Sequence, residues 1–158
     1  MIEENLQIFI DTTLNYFSTV TNRKIEVGSP YLVENKAVQI SDYTGVIAIS
    51  GQYTGCCYFT APRIFLRYLI MTLGEQDTSD AMLLDAVGEI ANTLSGNARK
   101  ELGRDFIISV PSVFKGEPEI SELPEDKRTY AIPVLCNSYK ALLCISLNQD
   151  NSSLSVAA

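Results

Sequence analysis

The segment from residue 83 to residue 98 constrains the fold more than any other part of the chain. Placed on a helix at about 100° per residue, its large aliphatic side chains fall on one narrow stripe. The stripe consists of Leu83, Val87, Ile90, Leu94 and Ala98. A helix with a single apolar stripe must bury it against another layer of the protein. The pattern therefore predicts a long helix, over about Asp80–Leu102, packed on the core of the domain.

The opposite side of the same helix carries a second stripe that solvation alone does not explain. Asp85, Glu89 and Asn92 lie along it, and Glu89 and Asn92 are neighbours because they are three residues apart. Gly88 and Gly96 flank this pair, and each glycine costs roughly 1 kcal/mol relative to alanine inside a helix. The stripe indicates a surface that another molecule approaches closely, although both glycines also suit close packing within the protein.

Apolar patterning predicts two further helices and a mainly antiparallel sheet. One helix covers about Ile2–Val20, and the other starts with Pro62, is capped by Thr60 and ends before Gly74. Extended segments are predicted over residues 24–33, 38–40, 45–50, 53–60, 106–114, 129–136 and 139–147. The order of helix, proline-containing strand and apolar hairpin occurs twice. We therefore predict a pseudo-two-fold-symmetric α/β domain of the α+β type, with long helices packed on one side of the sheet.

Composition limits the class of protein. The 158 residues suit one domain, expected over residues 1–148, with a flexible tail over residues 149–158. A net charge of −7 with dispersed lysine and arginine argues against nucleic acid as a partner. No apolar run approaches the roughly 20 residues of a membrane span, and the N-terminus lacks the pattern of a signal peptide. A cytoplasmic protein that binds neither nucleic acid nor membrane is expected.

The titratable residues exclude several kinds of active site. The chain has no histidine, which removes the commonest general base and the commonest metal ligand. Its four cysteines, Cys56, Cys57, Cys136 and Cys144, lie in apolar, strand-like sequence and form no C-x-x-C pair. We expect free, buried thiols, and neither a metal site nor a cofactor in this chain.

The polar stripe and its surroundings resemble a known family. The pattern Asp85-x-x-x-Glu89-x-x-Asn92 is followed by G-N-A-R-K-E-L-G and then by S-V-P-S-V-F-K-G. This order is similar to that of the chemotaxis phosphatases CheC, FliY and CheX, and among these it most resembles CheX. The earlier run G-V-I-A-I-S-G-Q-Y-T-G also resembles that family, so the likeness covers about residues 6–147. It implies the same pseudo-symmetric α/β fold.

The resemblance also implies an activity, namely hydrolysis of the aspartyl phosphate of a CheY-type response regulator. Asn92 would be inserted into the phosphorylated partner to orient the attacking water, because a carboxamide both donates and accepts hydrogen bonds. Glu89 would pair with a basic side chain of the partner and fix the docking. Further contacts to the partner are expected from Asp85, Gly88, Gly96 and Arg99. Magnesium would belong to the response regulator and not to this chain.

Other interpretations of the same residues stay open. The scaffold would also suit a binding module that docks a response regulator, or a flagellar or signalling partner, without turnover. The presence of both Glu89 and Asn92 favours the enzyme, because a pure adaptor needs no amide to orient water. In a third interpretation the pair is an accident on a structural domain. An exposed hairpin edge would allow a homodimer, and Pro111 is interpreted as a strand-edge or bulge device.

Overall fold

A computed structural model describes residues 3–21, 25–34, 38–116 and 128–149, and these form one sheet with helices on it. The helices are α1 (Glu3–Val20), α2 (Arg63–Thr72) and α3 (Asp80–Leu102). The strands are β1 (Ile25–Val27), β2 (Tyr31–Glu34), β3 (Tyr43–Gly51), β4 (Tyr53–Ala61), β5 (Phe106–Ile108), β6 (Ser112–Lys115), β7 (Arg128–Cys136) and β8 (Tyr139–Gln149). The α+β class predicted from the sequence is confirmed.

The sheet has two similar edges. Its strand order is β1-β7-β8-β4-β3-β5, with β2 also paired to β7 and β6 also paired to β3, and every pairing is antiparallel. Each edge therefore consists of two short strands, separated by Pro30 at one edge and by Pro111 at the other. The strand predicted over residues 106–114 is wrong as a single element, because proline has no N–H to donate to the ladder. The interpretation of Pro111 as a residue that interrupts a strand at the sheet edge is confirmed.

The helices pack on one face of the sheet and bury their apolar sides there. All five residues of the predicted α3 stripe are buried, and Phe9 and Phe17 bring α1 into the same core. Both long helices were predicted correctly; Ile2 lies outside the described residues. No helix in the described ranges is long and apolar enough to cross a membrane. The predicted tail also lies outside those ranges, except that its first residue, Gln149, ends β8.

The start of α2 differs from the prediction. Thr60 does not cap the helix, because it is a buried residue of β4 whose hydroxyl bonds to Thr44 at 2.9 Å and accepts from the Ser41 amide at 2.7 Å. The Asp42 carboxylate instead accepts from the backbone amide of Arg63 at 2.8 Å. A carboxylate that satisfies a free amide at a helix start stabilises it through charge as well as hydrogen bonding. The cap thus comes from a segment distant in sequence.

The four cysteines are buried thiols that form no disulfide with one another, as predicted. Cys57 and Cys136 belong to the core under the helices, whereas Cys56 and Cys144 lie on the other face of the sheet with Tyr58. Burial raises the pKa of the Cys57 thiol to about 12, so this side chain packs as a small apolar group.

Two glycines bring α3 unusually close to its neighbours. A Cβ atom on Gly45 of β3 would lie 2.6 Å from the carbonyl oxygen of Val87. A Cβ atom on Gly88 would lie 2.7 Å from Cγ1 of Val113 on β6. Both distances are shorter than a van der Waals contact. A side chain at Gly45 would push α3 away from the sheet because it meets backbone, whereas a side chain at Gly88 would displace the Val113 side chain. Gly88 is itself buried, so packing inside the protein explains it, which is the alternative that the sequence left open.

The close approach at Gly45 predicts that alanine substitution lowers the stability of the protein there but not at Gly96. Gly45→Ala should lower the free energy of unfolding by about 1–3 kcal/mol, because the new methyl group meets a backbone carbonyl that cannot move by itself. Gly96→Ala is the matched control, since the nearest atom to its Cβ would be Cδ1 of Ile108 at 4.0 Å. It should be neutral or stabilising by up to about 1 kcal/mol. Urea unfolding measures both, and equal stabilities would contradict the packing described here.

Candidate functional site

The polar stripe of α3 is exposed on the side that faces away from the sheet. Asp85, Glu89 and Asn92 are all exposed, whereas Val87 and Ile90 between them are buried. The expectation that Glu89 and Asn92 share one exposed face is confirmed. Among the described residues, neither of these two side chains makes a hydrogen bond or an ion pair. Both are therefore available to a second molecule.

The N-terminal end of α3 is held by a cluster around Asp80. Its carboxylate pairs with Lys115 of β6 at 2.7 Å and with Arg63 of α2 at 3.1 Å, and it accepts a hydrogen bond from the Tyr43 hydroxyl of β3. The hydrogen bonds from Lys115 and Tyr43 hold the pKa of the Asp80 carboxyl below its usual value. A carboxylate in the first turn also complements the helix dipole. The cluster ties three elements, α2, β3 and β6, to the start of the helix that carries the stripe.

The C-terminal half of α3 is held by Arg99, which the sequence placed at the partner contact. Its Nε donates to the carbonyl oxygen of Phe106 on β5 at 2.9 Å. Arg99 is nevertheless exposed, and with Lys100 and Arg104 it makes a basic surface next to Gly96. Its structural role is thus visible in the fold, and its contact with a partner stays a prediction.

The two glycines of the stripe have different surroundings. Gly88 is covered by Val113, with Pro111 atoms 3.7 Å from where its Cβ would lie. Gly96 is half-buried, and its backbone opens onto the surface with no atom closer than 4.0 Å to a Cβ atom. Packing explains Gly88 and leaves Gly96 unexplained. Gly96 therefore remains the glycine suited to close approach by another molecule.

The turn between β5 and β6 forms one flank of the stripe. Ser109 holds this turn on β3, because its amide donates to the Ala48 carbonyl and its hydroxyl accepts from the Ala48 amide, each at 2.9 Å. The next residue, Val110, is 84% exposed. The turn therefore presents apolar surface beside the helix from a firmly attached base.

A groove forms the other flank, and sequence reasoning missed it. It has a volume of about 520 Å³ and lies between the C-terminal ends of α1 and α2 and the first half of α3, with Tyr16 in its wall. Glu89 and Asp85 line the same groove. Burial, and then the charge of Glu89, raise the pKa of Tyr16 to about 12. Tyr16 lies outside the main apolar positions of α1, so no local signal marked it.

The chemistry available at the stripe is positioning, not covalent attack. A carboxamide and a carboxylate lie side by side on a convex helix surface, and neither is a nucleophile activated by a neighbouring base. Within the described ranges, no three acidic or thiol side chains are grouped so that they would hold a metal ion. Such a pair suits the orientation of water or of a partner's side chain.

Comparison with protein families and with solved structures gives one consistent match. Residues 43–135 match the family model described as chemotaxis phosphatase CheX. A solved protein assigned to chemotaxis from Desulfovibrio vulgaris Hildenborough is 31% identical, with 92% of this chain and 97% of that chain covered and a TM-score of 0.76. No curated protein matches.

Solved structures that carry the CheX name are also similar to this chain. A chemotaxis protein CheX from Desulfovibrio desulfuricans is 28% identical, with 93% of this chain and 99% of that chain covered and a TM-score of 0.72. CheX from Borrelia burgdorferi was solved in a complex with CheY, BeF3 and Mg²⁺. It is 18% identical, with 91% of this chain and 97% of that chain covered and a TM-score of 0.73, so this likeness is one of fold.

The proximity of Glu89 to Tyr16 predicts a measurable change in titration. Glu89→Gln should lower the pKa of Tyr16 from about 12, because a negative charge next to the phenol disfavours tyrosinate. The pKa should still exceed that of a free tyrosine, since burial is the larger cause. Ultraviolet titration measures the transition, and the difference between wild type and Tyr16→Phe assigns it. An unchanged pKa in Glu89→Gln would place the carboxylate farther from Tyr16 than described.

Proposed function

Because the chain belongs to the CheX family of chemotaxis phosphatases, we propose that it hydrolyses the aspartyl phosphate of a CheY-type response regulator. The observation that carries this proposal is the exposed pair Glu89 and Asn92 on the outer side of α3. The complex of Borrelia CheX with CheY supports the class of partner. The proposal assigns catalysis to Asn92 and docking to Glu89.

Asn92 acts by orienting water. An aspartyl phosphate is already reactive, so catalysis needs a water held in line with phosphorus more than it needs a strong base. The water oxygen bonds to phosphorus while the bond from phosphorus to the aspartyl oxygen breaks, which leaves inorganic phosphate and a free carboxylate. A carboxylate leaves without an acid catalyst, so a site without histidine suffices. An amide holds the water without the repulsion that an aspartate would bring against phosphoryl oxygens.

The shape of the site indicates a protein substrate. Small substrates are usually enclosed in concave pockets, whereas Asn92 stands exposed on a convex helix. A residue in that position reaches a reacting atom only by entering a cavity of the partner. The partner then supplies the enclosing walls, the phosphoryl group and any magnesium ion, and this chain supplies the amide.

Charge along α3 fixes the direction of docking. Asp85 and Glu89 lie on the N-terminal side of Asn92, and Arg99 and Lys100 lie on its C-terminal side. A partner with the complementary order of charge binds in one orientation and is repelled in the opposite one. Glu89 contributes a salt bridge to a basic side chain next to the phosphorylated aspartate. Asp85, Gly96 and Arg99 lie within the same contact.

Asn92→Ala tests the catalytic assignment. We expect the rate at saturating phosphatase to fall about 10²-fold, which is the usual cost of one positioned hydrogen-bonding group, while affinity changes little. Stability should not fall, because Asn92 is exposed and alanine favours helix. The assay follows phosphate release from the host's response regulators after phosphorylation by acetyl phosphate. Asn15→Ala, at an exposed asparagine of α1, is the control. A folded Asn92→Ala protein with wild-type activity would favour the binding module.

Glu89→Ala should fail differently, because the proposed loss is a charge pair with the partner. The dissociation constant should rise about tenfold, or by ~1.4 kcal/mol, which is at the low end of the range for close interfacial charge pairs. Binding should also become less sensitive to salt. Titration of the phosphorylated regulator at two salt concentrations measures both effects. Glu101→Ala removes an exposed carboxylate elsewhere on α3 and should change neither quantity. An unchanged affinity in Glu89→Ala would refute the docking role.

A further inference from the structure

The groove beside Glu89 has an apolar floor that is open to solvent. It is lined by Val20 of α1, Leu69 of α2, Leu73 at the C-terminal cap of α2, and Met82 and Ile90 of α3. Leu73 is 55% exposed although it is large and apolar. The groove has a volume of about 520 Å³, which is enough for one or two apolar side chains. The recess is therefore available to a side chain from another molecule.

The rim of the groove is acidic. Glu75, Asp85 and Glu89 line it, and its described lining residues include no lysine or arginine. An apolar floor within a ring of carboxylates suits an apolar side chain that is flanked by basic residues. The acidic rim would repel an acidic segment, and a purely polar segment would not displace water from the apolar floor. Charge complementarity thus restricts the chemistry of the occupant.

The position of the groove restricts the occupant further. Asp85 and Glu89 belong both to its rim and to the exposed stripe, and Asn92 follows one turn later. A helix rises 1.5 Å per residue, so Asn92 lies about 15 Å along the axis from Met82 at the far end of the groove. A standard interface covers roughly 800 Å² on each partner, which is a disc of about 16 Å radius. A protein centred on Asn92 therefore also reaches the part of the groove that α3 lines.

We propose that this groove is the hydrophobic anchor site for the response regulator, and that it receives an apolar side chain flanked by lysine or arginine on the regulator's surface. The identity of the partner rests on the proposed function. The groove sets affinity and partner choice, because a buried anchor in a water-excluded recess carries a large share of binding energy. Asn92 sets the rate of hydrolysis. Two separable steps, capture and turnover, then use adjacent sides of one helix.

The opposite flank is a weaker anchor although it is also apolar. Val110 is 84% exposed, so it projects from the turn between β5 and β6 into solvent. A projecting valine adds contact area, but no ring of neighbouring residues in the described part of this chain shields it from water, as it would around a residue that dominates binding energy. The concave, charged side of α3 is therefore the side that discriminates between partners.

Leu73→Ala tests the anchor against a matched control. Leu73 is 55% exposed and lines the groove, and Leu14 is 41% exposed on α1 and does not. For Leu73→Ala we expect the dissociation constant for the phosphorylated regulator to rise about tenfold, with an unchanged rate at saturation. Leu14→Ala should bind like wild type. Thermal unfolding of both variants checks that each is folded.

Leu73→Lys tests the predicted basic flank. A positive charge in the acidic groove should repel basic residues of the regulator, so this variant should bind more weakly than Leu73→Ala, most clearly at low salt. Equal affinities of the two variants would remove the basic flank from the proposal. The same measurement with Glu75→Gln, at a rim residue outside the stripe, should show a smaller loss in the same direction.

The outcomes separate this inference from the function on which it rests. If wild type binds and dephosphorylates a regulator and Leu73→Ala binds it equally well, the groove is not the anchor and the phosphatase proposal stands. If Leu73→Ala and Leu14→Ala weaken binding alike, the loss of apolar surface in general explains the effect and the groove is not a specific anchor. If wild type neither binds nor dephosphorylates any phosphorylated regulator of the host, both proposals fail.

Discussion

The contact between α3 and the sheet is the constraint on which the rest of the molecule depends. The apolar stripe of α3 is buried on β3 and β4, and Gly45 admits the helix so closely that its missing Cβ would lie 2.6 Å from the Val87 carbonyl oxygen. Burial of one stripe sets the rotation of the helix about its axis. The absence of a side chain at Gly45 sets the distance of α3 from the sheet. The rotation of α3 and its distance from the sheet together place Asp85, Glu89 and Asn92 on the outward side of the helix.

A helix held in this way is a rigid platform, which the proposed orientation of water by Asn92 requires. The Asp80 cluster joins the start of α3 to α2, β3 and β6, and Arg99 joins its last turns to β5. The amide of Asn92 lies between these two attachments. Water orientation within a fraction of an ångström is easier from a helix anchored at both ends than from a loop. The same anchoring keeps the groove wall next to Glu89 in place.

The two halves of the domain share an architecture but not a site. Each sheet edge breaks at a proline, Pro30 or Pro111, and aligning these prolines sets Glu89 against Ile8 and Asn92 against Asp11. Ile8 is half-buried and the Asp11 carboxylate accepts a hydrogen bond from Gln7 at 2.9 Å. The first helix thus contributes packing and one wall of the groove through Tyr16. The pseudo-symmetry explains the fold, and at these aligned positions only α3 carries a glutamate and an asparagine.

Local periodicity determined which residues of this chain form helices and hairpins, and therefore that Glu89 and Asn92 are exposed together. It also allowed the family resemblance to be placed on α3, since the stripe lies within one continuous element. Only the tertiary structure decided that Gly88 packs under Val113, that Asp42 and not Thr60 caps α2, and that Tyr16 and Leu73 border the exposed face of α3. Each of these features joins segments that are distant in the chain. A sequence period states which face of an element turns inward, but strand pairing and helix packing decide which residues it meets there.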